Sequence, residues 1–290
     1  METADKIIKA RLPHPLLQNA IFEACRLSES RDIIDPEPDI KSLRVILNKT
    51  NGDWDVMTIT APRRLKANPD MGVFLAGVAL AQKYMGIPEN LEDLPLKVNV
   101  TFPITEFYDL VAPGDRRAMA SKNRLRFDES LNTLAQTSIA VVYGNKGRKK
   151  HGGNTGYSMR SSLWDYRFNP LKGRGGGSIA LAILSDFIPR DHYLWADAAL
   201  CNRFGSAVSR QIFWQLVGRQ HFKADVPALA EMCGLPPESR LDRWYKRNLL
   251  PAVDELNSAG YIIKREGAGV DADYVFKRKK GKDKCRISVQ

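Results

Sequence analysis

Histidine and cysteine are scarce in this chain, four of each in 290 residues. His14, His151, His192 and His221 form no HxH, HxxxH or HExxH pattern, so the spacings that hold a catalytic metal are missing. Cys25, Cys201, Cys233 and Cys285 stand far apart without a Cys-x-x-Cys pair, which argues against a zinc site. Cys233, on an apolar helix face, reads as a small core residue. No run of 18 apolar residues exists to cross a membrane, and residues 1–12 are charged and lack an apolar signal core. A cytoplasmic protein is expected. The glycine-rich stretch Lys172–Ser178 lacks the G-x-x-x-x-G-K-[ST] spacing of a phosphate loop and reads as a linker or loop. His192 reads as a surface or interface residue rather than a base. Acidic pairs such as Asp254-Glu255 fall on adjacent helix positions, point apart and read as solvated charges. Neither an enzyme nor a cofactor-binding protein is expected.

Acid is also in short supply relative to base. The net charge is +11, which favours an anionic partner. Residues 1–150 carry 22 cationic against 19 acidic side chains, and residues 151–290 carry 22 against 14. The second half is therefore the stronger electrostatic partner for nucleic acid.

The stretch Lys223–Lys280 carries the most information. Asp225 stands where a helix N-cap belongs, and Val226, Leu229, Ala230, Met232 and Cys233 follow at helical spacing. Gly234-Leu235-Pro236-Pro237 breaks that helix. A longer helix is predicted from Arg240 to Ala259, stopped by Gly260. Pro251 inside it is expected to kink or restart it near Leu249. Tyr261–Arg265 and Asp273–Phe276 read as strands around the turn Glu266-Gly267-Ala268-Gly269. Two helices followed by a hairpin predict a winged helix. On the longer helix Leu241, Tyr245, Leu249, Ala252, Val253 and Leu256 share an arc of about 120°. Arg240, Arg243, Lys246 and Arg247 lie on the other side. Their turns are those that recognition helices press into a major groove, where arginine pairs with guanine or phosphate. Lys264, Arg265 and the tail Lys277, Arg278, Lys279, Lys280 extend the basic surface.

Earlier in the chain, a helix is predicted over 14–28 and an acidic loop over 29–42. Leu43–Leu47 and Val56–Ile59 read as strands around Asn51-Gly52-Asp53. An apolar helix over Met71–Met85 and a strand over Val98–Phe102 follow. A second helix-turn-helix is predicted: Ile104–Val111 with Thr105 as a cap, the turn Ala112-Pro113-Gly114, and Ser121–Gln136. Phe127, Leu131, Leu134 and Ala135 share one face of the latter. Lys122, Arg126 and Thr133 lie opposite, with Asn123 and Ser130 at the edge. A strand over Ile139–Tyr143 leads into a cationic, glycine-rich hairpin tip over 144–154. Residues 179–187 and 194–204 read as helical or mixed, and Ser206–Gln220 as a helix burying Val208, Ile212, Phe213, Leu216 and Val217. One plan is thus used twice. The expected fold is α+β, two tandem winged-helix domains over 1–170 and 178–290.

Several patches carry a family resemblance. They are Leu17–Phe22, Thr137–Lys149, Ser162–Tyr166, Val208–Leu216 and, best of all, Arg243–Leu256 with Ala259-Gly260-Tyr261. Together with the order of elements, they resemble plasmid replication initiators built from two winged-helix domains, of the IncQ and IncP type. Pro251 matches a proline expected in the IncQ-type initiators. The resemblance implies a bacterial protein that binds direct repeats of double-stranded DNA (iterons) at an origin, promotes opening of adjacent DNA and recruits host replication factors, the host initiator and helicase among them. It implies a homodimer formed through the first domain, and no membrane association. It maps Arg240, Arg243, Lys246 and Arg247 to base and phosphate contacts, and Lys264, Arg265 and Lys277–Lys280 to the wing and its flank. Lys122, Arg124, Arg126, Lys146, Arg148, Lys149 and Lys150 map to weaker backbone contacts. A transcriptional repressor without a replication role is the alternative reading, and a protein-docking module a third.

Overall fold

The computed structural model describes residues 9–13, 41–50, 53–63, 65–85, 97–114, 121–142, 158–170, 177–184, 193–219, 221–235 and 239–278. The helix expected over 14–28, most of the acidic stretch after it and the cationic tip over 144–154 lie outside these residues.

The first half runs β1 (Lys9–Pro13), β2 (Lys41–Thr50), β3 (Asp53–Ala61), α1 (Asp70–Met85), β4 (Lys97–Pro103), α2 (Ile104–Val111), α3 (Ser121–Gln136), β5 (Ser138–Val142), β6 (Ser158–Ser162), β7 (Trp164–Pro170), β8 (Gly177–Leu184) and β9 (Tyr193–Asp197). Then come α4 (Ala198–Arg203), α5 (Ala207–Gly218), β10 (His221–Asp225), α6 (Val226–Met232), α7 (Leu241–Trp244), a π-helical turn (Tyr245–Leu249), α8 (Leu250–Ser258), β11 (Ile262–Glu266), a 3-10 turn (Gly269–Asp271) and β12 (Asp273–Lys277). The chain is α+β, and every strand pair among the described residues is antiparallel.

Two three-stranded sheets repeat one topology, β4-β8-β7 and β10-β12-β11. Each first strand follows a helix (α1 or α5), is followed by helices (α2 and α3, or α6 and the α7–α8 run), and pairs with the last strand of a closing hairpin. The repeat is not the one read from sequence. Strand β5 joins a separate sheet, β2-β3-β5-β6, so the hairpin corresponding to β11–β12 is β7–β8. Pro170 lies opposite Gly177 in that hairpin, and β8 also pairs with β4. The glycine-rich stretch therefore joins two paired strands. Residues 179–184 are strand, not helix, because Ile179, Leu181 and Ile183 alternate inward with a period of two. Residues 194–204 divide between β9 and α4.

Helix α1 is apolar all round, and Asp70–Ala81 are buried without a break. Phe74 stacks on Trp164 of β7 at 5.9 Å and meets Trp214 of α5 at 6.4 Å, so one ring touches both halves. Gly77 makes room for Trp164, whose ring a Cβ would meet at 2.7 Å. Two helix details correct the sequence reading. Thr105 does not cap α2, since Pro103 occupies the cap position with no side-chain bond. Thr133 is buried rather than facing solvent, because its hydroxyl is satisfied by the Glu129 carbonyl at 2.8 Å, and Ser130 is buried in the same way on Arg126 O at 3.2 Å.

Candidate nucleic-acid interface

The second-half site is built on local rules. Asp225 caps α6, accepting from Ala228 N at 2.7 Å. The helix stops in a Schellman turn: Gly234 takes φ 75°, Leu235 N donates to Ala230 O at 2.9 Å and Gly234 N to Glu231 O at 2.8 Å. The same stop closes α8, with Gly260 at φ 91°, Tyr261 N on Leu256 O at 3.0 Å and Gly260 N on Asn257 O at 2.9 Å. Between the stops the expected interruption at Pro251 is present. The helix widens over Tyr245–Leu249 into a π turn, in which Leu250 N donates to Tyr245 O, five residues back. Pro251 supplies no N–H and its ring crowds the carbonyl of the preceding turn, which disfavours a regular α-helical ladder.

The run buries one side. Trp244, Tyr245, Leu249, Ala252 and Leu256 are inside, and Leu241 and Val253 pack partly against the core. Trp244 was missed from the sequence. It sits off the regular 100° arc and comes inside where the turn is widened. Arg240, Arg243, Lys246 and Arg247 are all exposed, as expected. Arg240 is 80% exposed and meets Asp242 only at 3.9 Å, a weak surface pair. Among the described residues no carboxylate pairs with Arg243, Lys246 or Arg247.

The hairpin divides its cations between two faces, since successive strand residues alternate. Arg265 stands opposite Tyr274, on the face turned toward the helix, with its guanidinium 5.8 Å from the Tyr245 ring. That face is aromatic: Phe222 stacks on Phe276 at 4.8 Å, Tyr274 lies 5.9 Å from Phe276, and the Tyr245 and Tyr274 hydroxyls meet at 3.2 Å. Lys264 and Lys277 are exposed on the opposite face. There Lys223 bonds Asp273 at 2.7 Å and Glu266 at 3.4 Å, and the bond to Asp273 leads in raising its pKa. The five cations Arg240, Arg243, Lys246, Arg247 and Arg265 thus belong to the helix and the hairpin face turned toward it. Arg278 is exposed beyond β12, and Lys279 and Lys280 lie outside the described residues.

First-half cations are differently engaged. Arg124 is exposed and 3.8 Å from Asp128 one turn on. Arg126 donates to Asn68 Oδ1 at 3.0 Å, and Asn68 Nδ2 reaches Gly205 O at 3.5 Å, so Arg126 serves the joint between the halves. Lys122 lies on α3, its side chain outside the described set, as are Lys146, Arg148, Lys149 and Lys150.

That joint holds a feature the sequence reading passed over. Glu255 is not a solvated charge: its carboxylate accepts from Gly205 N at 2.5 Å, Ser206 N at 3.2 Å and the Ser209 hydroxyl. Helix α5 begins Ser206-x-x-Ser209, a capping box with serine where the acid belongs, and Glu255 supplies that acid from afar. Nearby, Arg210 is buried and bonds Phe204 O at 2.9 Å and Asn202 Oδ1 at 3.3 Å, while Asn202 Nδ2 donates to Gly72 O at 3.2 Å. Burial pulls the Arg210 pKa down, yet a guanidinium stays charged. No group of three or more metal-ligating side chains occurs among the described residues, and no helix there is long and apolar enough to cross a membrane.

No protein-family model and no curated protein matches this chain. A likeness is found among solved structures. Domains 2 and 3 of RctB, in selenomethionine form, match over 85% of this chain and 95% of theirs at 12% identity and a TM-score of 0.51. A second structure of RctB domains 2–3 matches over 84% and 93%, again at 12% and 0.51. The Pi initiator protein in complex with iteron DNA aligns over 96% of this chain and 100% of its own at 13% identity, with a TM-score of 0.46 that is too low to carry weight. At such identities the likeness establishes shared architecture, and the fold of this chain is that of RctB domains 2 and 3.

Proposed function

We propose that this chain is a plasmid replication initiator, made of two winged-helix units, that binds repeated double-stranded sites at an origin and promotes opening there. One observation carries the reading. Four exposed cations, Arg240, Arg243, Lys246 and Arg247, ride a helix whose other side is buried, next to a hairpin whose exposed Arg265 lies 5.8 Å from the Tyr245 ring of that helix. A helix of that kind is sized for a major groove, and arginines on its leading turns suit guanine edges and phosphates. The first unit spans α1–β8 and the second α5–β12. Pairing of β8 with β4 favours a seam near Phe204–Ser206, later than the glycine-rich stretch. Recruitment of a host initiator and helicase, pairing of two copies and residence in the bacterial cytoplasm belong to the same proposal, and no catalytic role is assigned.

The test is a mobility-shift titration on duplexes carrying direct repeats from the chain's own replicon, against scrambled duplexes. Wild-type protein should prefer the repeats. The double variant Arg243→Ala/Arg247→Ala should lose that preference, by about 1–3 kcal/mol for each bidentate contact removed. Equal discrimination by both proteins would end this assignment. A plasmid-maintenance assay with the origin supplied separates an initiator from a repressor, since only the initiator sustains the plasmid.

A further inference from the structure

Resting on the initiator reading, we infer that Pro251 is a specificity-determining positioning residue: by holding the Tyr245–Leu249 turn open it sets the angle at which Arg240, Arg243, Lys246 and Arg247 meet the groove.

All four cations lie ahead of Pro251 in the chain. The helix behind it is anchored. Ala252 and Leu256 are fully buried, Glu255 is held by Gly205, Ser206 and Ser209, and Tyr261 closes the Schellman stop. The orientation of the leading turns therefore depends on the join between the two parts. That join is a π turn, with the Leu250 amide bonded five residues back to Tyr245 O. A π turn adds about one residue to a helix, and one residue corresponds to roughly 100° of rotation. The widened turn thus swings the leading part against the trailing part by a large angle. In the swung position Trp244 and Tyr245 are both inside, and the Tyr245 hydroxyl meets that of Tyr274 on the wing. Arg265 lies over the same Tyr245 ring, so this residue registers the reading helix against the wing.

Alanine at 251 restores the missing N–H and removes the ring that crowds the Arg247 carbonyl, allowing the turn to close to ordinary α geometry. Closing it forces one of two outcomes. Either the cationic ridge rotates relative to Arg265, or Trp244 and Tyr245 leave their seats. Both change which base edges the arginines can reach, while the number of cations near phosphate stays the same.

The experiment is selection of binding sites from a randomised duplex pool with the full chain, run for wild type, Pro251→Ala and Arg243→Ala/Arg247→Ala. Circular dichroism and thermal melting report folding. Pro251→Ala is expected to stay folded, to expose tryptophan to acrylamide quenching, and to keep non-specific affinity within about threefold because that affinity follows phosphate contacts. It should lose at least about tenfold of its preference for the wild-type site and select a different sequence. The double arginine variant should select none. Selection of the wild-type sequence with undiminished discrimination by Pro251→Ala overturns the inference, as does joint loss of specific and non-specific binding. Should Pro251→Ala fail to fold, Tyr274→Phe decides. It removes the hydroxyl that holds Tyr245 and should cost about three- to tenfold in preference at unchanged salt dependence. Unchanged preference there counts against the inference. A wild-type chain without any site preference would instead remove the initiator reading itself, and this inference with it.

Discussion

Side chains of one charge do different work here according to which face the backbone gives them. Lys264 and Arg265 are neighbours in sequence, yet only Arg265 faces the cationic helix. Arg265→Ala should therefore weaken binding to the repeats more than Lys264→Ala, whose effect should be small and alike for specific and scrambled duplexes; paired titrations check this. Asp70 is a second case. Its buried carboxylate takes Arg63 at 2.6 and 3.0 Å and the Lys66 amide at 2.8 Å, at the start of α1. Asp70→Ala strands partly buried donors at that helix terminus and should cost roughly 3 kcal/mol in urea unfolding. Cys201 is fully buried, and burial pushes its pKa from 9.0 up to about 12. A thiol held protonated in the fold but free to ionise when unfolded contributes stability below pH 9.0 and loses that contribution as pH rises to about 12. Tyr261, moved from 10.0 up to about 12 chiefly by burial, acts with the same sign. The urea midpoint should fall progressively above pH 9, and native Cys201 should resist thiol reagents at neutral pH.

Helices and strands differ in how far the chain announces them. Helices α2 and α3 begin and end where periodicity puts them, and the break before Pro251 follows from proline's missing donor. Strand partners are another matter. The Ile139 strand carries the same alternation whether it pairs with β3 or closes a wing, because alternation fixes which face is apolar and not which neighbour supplies the hydrogen bonds. For the same reason nothing in the glycine-rich stretch told that the strands on either side of it, β7 and β8, pair with each other. Two glycines, one inside α1 and one just past α8, give sharp tests. Gly77→Ala drives a methyl into the Trp164 ring and should destabilise by about 1–3 kcal/mol. Gly260→Ala meets no atom within 4 Å but must hold φ 91°, so its cost should be backbone strain alone, about 1 kcal/mol. Thermal melts of the two variants measure the difference.

Across the whole chain, the excess of base predicts how binding responds to salt. If the five cations of the reading surface each meet a phosphate, log K against log salt should fall with a slope near −4.5, about −0.9 per phosphate. A slope near zero would mean that the ridge does not meet DNA. The surface itself was legible in sequence because a charged stripe opposite an apolar one survives any tertiary arrangement. The joint behind it was not. Glu255 finds Gly205 at a separation of 50 residues, and no local pattern connects them. That bond has a practical corollary for anyone exchanging the cationic helix between chains of this fold. Glu255, in the back half of the α7–α8 run, doubles as the missing first-turn acid of α5, so a transplant that carries the entire segment through Gly260 imports a stranger into that cap. Grafts cut ahead of Leu250 would leave that seat filled and exchange only the exposed cations in front of it.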